Sequence, residues 1–267
     1  MIRRIFQKVL RKKSNWYDDL CEYYGVTPEQ AKELATRRPA RRPNLPGSST
    51  THAVSGMTFE EIWDMRPRNT PEAIHQFYKD MGAWATFRQC YYRRNLDASP
   101  FVEGLPDGAI FCEYGSGVAP ITNWIVENVR GRTFELTITD VPSEHLTFAK
   151  WRLTRKIEAR NLPFRLQLLE VGVNTLPLKD EYDTITILEV FEHLYNPYEV
   201  ARHLTEHLRR GGRLWENYPK SEPCAADLKE AQQQRAAVFN HIRTHYKLMS
   251  GADPDEAPGA TRCWVKL

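Results

Sequence analysis

Three groups of residues in this chain have the types and spacing that chemistry requires. The first is Glu113-Tyr114-Gly115-Ser116-Gly117, a glycine turn preceded by a carboxylate. Two glycines let the backbone turn tightly and approach a ligand closely, because neither carries a Cβ. The second is Asp140, which ends the apolar run Phe134–Thr139. The third is Glu189-Val190-Phe191-Glu192-His193, at the end of the run Tyr182–Val190. His193 is the best candidate base, since imidazole titrates near neutral pH, and Glu192 is its rival. Both also have a structural reading. A carboxylate in a first helical turn favours the dipole, and His193 can bond backbone groups instead.

The glycine turn suggests a nucleotide-like cofactor. A helix starting just after it aims free N–H groups and a positive end at the ligand. The dinucleotide fingerprint needs a third glycine three residues after the second. That position is Pro120 here. Glu113 stands where a pyrophosphate is unwelcome and a cation is welcome. S-adenosylmethionine (SAM) carries a sulfonium and an ammonium and no phosphate, so these residues favour SAM over NAD. Asp140 has the spacing of the acid that accepts from both ribose hydroxyls. It can equally cap a helix beginning near Ser143.

The elements that would position these groups alternate. Strands are expected near Ile110, at Phe134–Thr139, Phe164–Val171, Tyr182–Val190 and Gly212–Tyr218. Helices are expected after Pro120, at Ser143–Asn161 and at Pro197–Arg210, the last stopped by Gly211 and Gly212. Such alternation argues for a parallel sheet covered on both faces. Ala225–His245 reads as a further helix, with final strands at His245–Met249 and Ala260–Leu267. Thr70–Asn95 reads as a helix capped by Thr70, with Pro71 at its first position and a break plausible at Gly82. Thr58–Met65 reads as a short helix with a capping box.

Taken in order, EYGSG, the acid after the second strand, the Leu176–Leu178 LPL, YDTITILEVFEHL and LRRGGRL resemble a class I SAM-dependent methyltransferase. The nearest pattern is the small-molecule group whose fourth strand ends in EVLEH, and the resemblance covers roughly Asp107 to Tyr218. It implies a Rossmann-like, doubly wound, mostly parallel seven-stranded sheet with an N-terminal helical extension. It implies SAM as cofactor, held by Glu113, Tyr114, Gly115, Ser116, Gly117, Asp140 and Glu189. Glu192 and His193 would border the methyl-transfer site, and helices before the first strand would form a lid. Tyr78, Trp84, Phe87, Tyr91 and Tyr92 could supply its aromatic wall, although any one of them is better read as core. The acid that often contacts adenine is missing from Glu170–Asn174. Backbone groups, Glu170 or Asn174 remain for that role.

The expected organisation is a basic arm and linker over residues 1–50, a helical lid over 51–100 and the SAM-binding domain over 101–267. The expected activity is methyl transfer to a small-molecule, glycan or lipid-precursor acceptor, at oxygen. The alternative is a methyltransferase-like scaffold that acts through its basic arm. Residues 1–42 hold eleven Lys and Arg against five Asp and Glu, although the whole chain is only +3. Within residues 1–13, Ile2, Ile5, Phe6, Val9 and Leu10 share one helical face among basic residues. Such a helix could lie on an anionic membrane surface or pack on its own domain. Few aromatics interleave the basic run, which disfavours nucleic acid. The five cysteines form no CxxC or His/Cys cluster, so neither a metal site nor a disulfide framework is expected. With no membrane span or secretory segment, the expected location is cytoplasmic, peripheral to a membrane if the arm binds one.

Overall fold

The computed structural model of the chain describes residues 15–36, 70–79, 82–220 and 227–267. The basic arm 1–13, the linker 37–51, the helix expected at 58–65 and most of the loop 219–224 lie outside the described residues.

Seven strands form one sheet in the order β3-β2-β1-β4-β5-β7-β6. They are β1 (Ala109–Tyr114), β2 (Phe134–Asp140), β3 (Phe164–Glu170), β4 (Tyr182–Ile187), β5 (Leu208–Glu216), β6 (Tyr246–Ser250) and β7 (Arg262–Lys266). β1 to β5 run parallel, whereas β7 is antiparallel to β5 and to β6. This is the doubly wound, mostly parallel architecture expected. Central strands read as continuous apolar runs because helices cover both faces. β1 and β4 are buried almost throughout, whereas the edge strands β3 and β6 are largely open to solvent.

The helices are α1 (Asp18–Tyr24), α2 (Pro28–Thr36), α3 (Pro71–Lys79), α4 (Gly82–Tyr92), α5 (Ser99–Val102), α6 (Pro120–Asn128), α7 (Glu144–Ala159), α8 (Pro197–His207) and α9 (Lys229–His245). Thr70 caps α3, its Oγ1 accepting from Ala73 N–H at 3.2 Å, and Pro71 takes the first helical position. The expected break falls before Gly82, whose φ is +66°. Pro120 likewise opens α6. Ser143, not Asp140, caps α7 through Leu146 N–H at 3.4 Å, so Asp140 is left to other partners.

One expectation is corrected. Leu208–Gly212 does not end a helix. α8 stops at His207 with an extended Leu208, which already pairs with Tyr182. Gly211 takes its φ of +77° within β5, beside the register shift opposite Tyr182–Thr184. Two adjacent glycines inside a strand fit such an irregularity. β4 also ends earlier than expected, at Ile187, leaving Leu188–Val190 in the following turn.

Two apolar cores flank the sheet. A third joins α1, α2 and α4 to Phe148 of α7 and to Val118, the residue after the glycine turn. Polar contacts tie the same helices together. Lys156 Nζ is buried and donates to Asp19 Oδ2 at 2.5 Å, Glu127 Oε1 at 2.6 Å and Asn123 Oδ1 at 2.9 Å. The N-terminal helices thus pack directly behind the glycine turn.

Candidate active site

In open sheets of this kind, ligands bind at the carboxyl ends of the strands where strand order reverses. Here that point lies between β1 and β4. The end of β1 carries Glu113 and the glycine turn, β2 ends in Asp140 and β4 leads into Glu189–His193. A cavity of about 710 Å³ opens there, a size suited to a small ligand.

Gly115 and Gly117 have φ of +66° and +52°, values that favour glycine. A Cβ on Gly115 would stand 2.3 Å from Val190 Cγ2, so the turn and the loop after β4 need this glycine to approach each other. A Cβ on Gly117 would stand 2.4 Å from Gln89 Oε1. Gln89 reaches over from α4, and its Oε1 accepts from Val118 N–H at 3.2 Å. From behind, the guanidinium of buried Arg152 donates to Val118 O and Ala119 O.

Glu113 is buried at the start of α6. Its Oε1 accepts from Ile121 N–H at 3.1 Å. Its Oε2 accepts from Thr122 N–H at 2.8 Å and Thr122 Oγ1 at 2.7 Å. The carboxylate satisfies the free donors of the helix and carries its charge to the cavity wall. Burial raises its pKa and these hydrogen bonds oppose the rise.

Asp140 is half-buried in the wall. Its Oδ2 accepts from Gly117 N–H at 2.5 Å and its Oδ1 from Val141 N–H at 2.7 Å. Burial pushes its pKa up to about 6 despite both bonds. Its carboxylate bridges the ends of β1 and β2 in the cavity wall.

The loop after β4, beside the glycine turn, also lines the cavity. Glu189 adopts a left-handed φ of +57°, rare for a residue with a Cβ. Asn217 at the end of β5 clamps it: Glu189 N–H donates to Asn217 Oδ1 at 2.7 Å, and Asn217 Nδ2 donates back to Glu189 Oε1. His193 lies in a 3₁₀ turn and lines the cavity. Its Nε2 is 3.8 Å from Glu192 Oε1 and its Nδ1 is 4.0 Å from Asp227 Oδ1. Glu192 is buried and does not line the cavity. Burial, opposed by a backbone hydrogen bond and reinforced by Glu189, Asp227 and Glu216, pushes its pKa up to about 8. The two expected catalytic residues therefore separate: His193 faces the cavity and Glu192 stands behind it.

The remaining expected ligand residues, Tyr114, Gly115, Ser116 and Gly117, all line the cavity. Of the expected aromatic wall, Tyr78 and Tyr92 line it, whereas Trp84 and Phe87 are core and Tyr91 packs on Trp16. Asn174 lines it and Glu170 does not. Sequence reasoning missed His75, Gln89, Arg93 and His145. His75 Nε2 and the Val171 carbonyl, 2.9 Å apart, join α3 to the loop after β3. The only available signal was that polar residues interrupt the buried faces of amphipathic helices.

The chain fits SAM on its own geometry. Asp140 and Glu189 line the cavity beside the glycine turn, and Glu113 adds a buried carboxylate at the end of β1. Two buried polar atoms in its wall, Ser116 Oγ and His145 Nε2, have no hydrogen-bond partner among the described residues.

Residues 112–214 match the family model described as a methyltransferase domain. The sheet order agrees with the class I SAM-dependent methyltransferase fold that the sequence resembles. Comparison with curated protein sequences finds no match. Among solved structures, the chain is similar to a methyltransferase from Pyrococcus furiosus, with 17% identity over 62% of this chain and 78% of that one and a TM-score of 0.40. It is similar to the magnesium protoporphyrin IX methyltransferase of Synechocystis PCC 6803 with bound SAM, with 15% identity over 69% and 83% and a TM-score of 0.47. It is also similar to the N-methyltransferase NodS of Bradyrhizobium japonicum WM9 with S-adenosyl-L-homocysteine, with 12% identity over 63% and 82% and a TM-score of 0.43. No helix among the described residues is long and apolar enough to cross a membrane.

Proposed function

We propose that this methyltransferase acts at an oxygen of a small-molecule, glycan or lipid-precursor acceptor, with His193 as the base. The observation that carries the reading is one cavity lined at one end by Asp140 and the glycine turn and at the other by His193. When bound, SAM supplies a methyl group activated by its sulfonium. Asp140 would accept from the ribose hydroxyls, and Gly115 and Gly117 would admit the methionine end. Glu113 and Glu189 would add favourable negative potential beside the sulfonium and ammonium. The protein must also hold the acceptor in line, exclude water and take up the acceptor's proton. Glu192, 3.8 Å from the ring of His193, is a positioning residue in this scheme and Asp227 faces the ring's other nitrogen. Residues 51–100 serve as the lid, since α3 and α4 contribute His75, Tyr78, Gln89 and Tyr92 to the cavity. Residues 101–267 carry the catalytic domain.

The test is methyl transfer to a panel of hydroxylated acceptors, read by mass spectrometry. His193→Ala should lower kcat by about 10²–10⁴-fold, the range for loss of a general base, and leave SAM affinity unchanged. An undiminished kcat removes His193 from the chemistry. The basic arm 1–13 is assigned to an anionic surface on its sequence alone. Cosedimentation with phosphatidylserine vesicles should fall when Arg11, Lys12 and Lys13 become Gln, and equal sedimentation removes that assignment.

A further inference from the structure

From Ser116 to Thr122, every backbone N–H of the glycine turn and of the helix start behind it is already engaged. Ser116 N–H donates to Thr139 O at 2.9 Å and Ala119 N–H to Ser116 O at 2.7 Å. Gly117 N–H goes to Asp140 Oδ2 and Val118 N–H to Gln89 Oε1. Pro120 has no N–H, and Ile121 and Thr122 give theirs to Glu113. The start of α6, ordinarily a place for an anion, is thus filled by a carboxylate of the chain itself. An anionic group brought to this turn must find its donors on side chains, because a charge without them is costly.

Arg93 is the sole Arg or Lys among the described residues that line the cavity. It is exposed at the rim, and its N–H donates to Gln89 O at 3.0 Å, so it stands one helical turn beyond Gln89. Residues four apart share a helix face, and Gln89 fixes where this face lies. Its Oε1 accepts from Val118 N–H, which leaves Nε2 as a donor beside Gly117. The neighbouring arginines are committed elsewhere. Arg88 lies over the rings of Trp84 and Tyr92. Arg94 lies over Tyr91 and donates to its carbonyl at 2.7 Å. The Arg93 guanidinium has no hydrogen bond or ion pair among the described residues, and its planar fork of donors matches a carboxylate. SAM carries one carboxylate, at the methionine end that the proposed function puts at Gly115 and Gly117. We propose that Arg93 binds this carboxylate, with Gln89 Nε2 as a second donor. Glu113 and Glu189 are left to the sulfonium and ammonium, so each charge of the methionine end meets its opposite.

This inference rests on the assignment of SAM to the cavity, and the experiment separates the two. The full chain is titrated calorimetrically with S-adenosylhomocysteine and with its decarboxylated analogue. Wild type, Arg93→Gln and Arg93→Lys are compared after melting curves verify folding. Loss of a charged hydrogen-bond partner should weaken S-adenosylhomocysteine binding about tenfold in Arg93→Gln. Arg93→Lys, which keeps the charge without the planar fork, should recover part of the loss. Toward the decarboxylated analogue, wild type and Arg93→Gln should bind alike, the non-additivity expected of a direct contact. Raising the salt from about 0.05 to about 0.5 M should narrow the lead of the wild type over Arg93→Gln, since an exposed charge pair is screened. Equal affinity of Arg93→Gln and wild type for S-adenosylhomocysteine overturns the proposal, as does a loss of the same size with both ligands. Failure of the wild type to bind S-adenosylhomocysteine overturns the cofactor assignment and this contact with it.

Discussion

At the scale of single residues, the site turns on carboxylates whose surroundings differ. Glu113 spends its charge on the first turn of α6, where three donors hold it. Asp140 has two backbone donors and an open side toward the cavity, and burial lifts its pKa to about 6. In the proposed role a ribose hydroxyl would donate to the ionised carboxylate, so ligand binding would favour the deprotonated form. Affinity should therefore be full above pH 7 and decline as the pH falls through about 6, by at most about tenfold per pH unit. Titrations with S-adenosylhomocysteine between pH 5 and 8 should show this decline in the wild type and not in Asp140→Asn. A decline of the same size in both would assign it to another group. Asp140 was legible in the sequence because strand ends are marked by an apolar run followed by a polar residue. The partners of Glu113 were not. Spacing places a carboxylate near a turn but does not say that a helix eight residues on will consume its lone pairs.

At the scale of elements, the fold holds the site by fixing loop ends from behind. Asn217 clamps the left-handed Glu189, Arg152 grips the carbonyls after the glycine turn and Gln89 covers that turn from α4. β5 itself is anchored at its carboxyl end, next to Asn217. Arg262 of β7 and Glu216 of β5 are both fully buried, with Arg262 Nε donating to Glu216 Oε1 at 2.5 Å and Nη2 to Oε2 at 3.0 Å. Trp264 Nε1 and Tyr218 N–H occupy further lone pairs of the same carboxylate. Removing one partner leaves a buried charge uncompensated, which costs about 3–5 kcal/mol. Arg262→Met should lose that much in chemical denaturation, whereas Arg243→Met, at an exposed ion pair on α9, should lose under about 1 kcal/mol. Similar losses in both would deny the buried pair its anchoring role. The final strand was legible from the terminal apolar run, and its antiparallel pairing is seen in the structure. The early start of β5 was not, because Arg209-Arg210-Gly211-Gly212 is the composition of a helix stop. Pairing of Leu208 with Tyr182 overrides that local signal.

At the scale of the whole molecule, the alternation of strands and helices sufficed to expect a parallel sheet covered on both faces, and the family resemblance supplied its seven strands; the strand order is seen only in the structure. The N-terminal contribution was less legible. Composition marks residues 1–50 as basic and linker-like, yet residues 18–36 form two helices whose apolar faces meet α4, α7 and Val118. Their buried apolar positions, Leu20, Tyr24, Ala31 and Ala35, are few and lie among charged residues. Helix α4, the N-terminal helices and Val118 beside the glycine turn consequently share one core. The central claim is that this core presents a SAM site. Its most direct measurement is calorimetric titration of the full chain with SAM, with NAD as control, in wild type and Asp140→Ala. Micromolar binding of SAM, no NAD signal and at least tenfold weaker binding by Asp140→Ala is the predicted result. Absence of SAM binding, or binding that Asp140→Ala leaves intact, would contradict it.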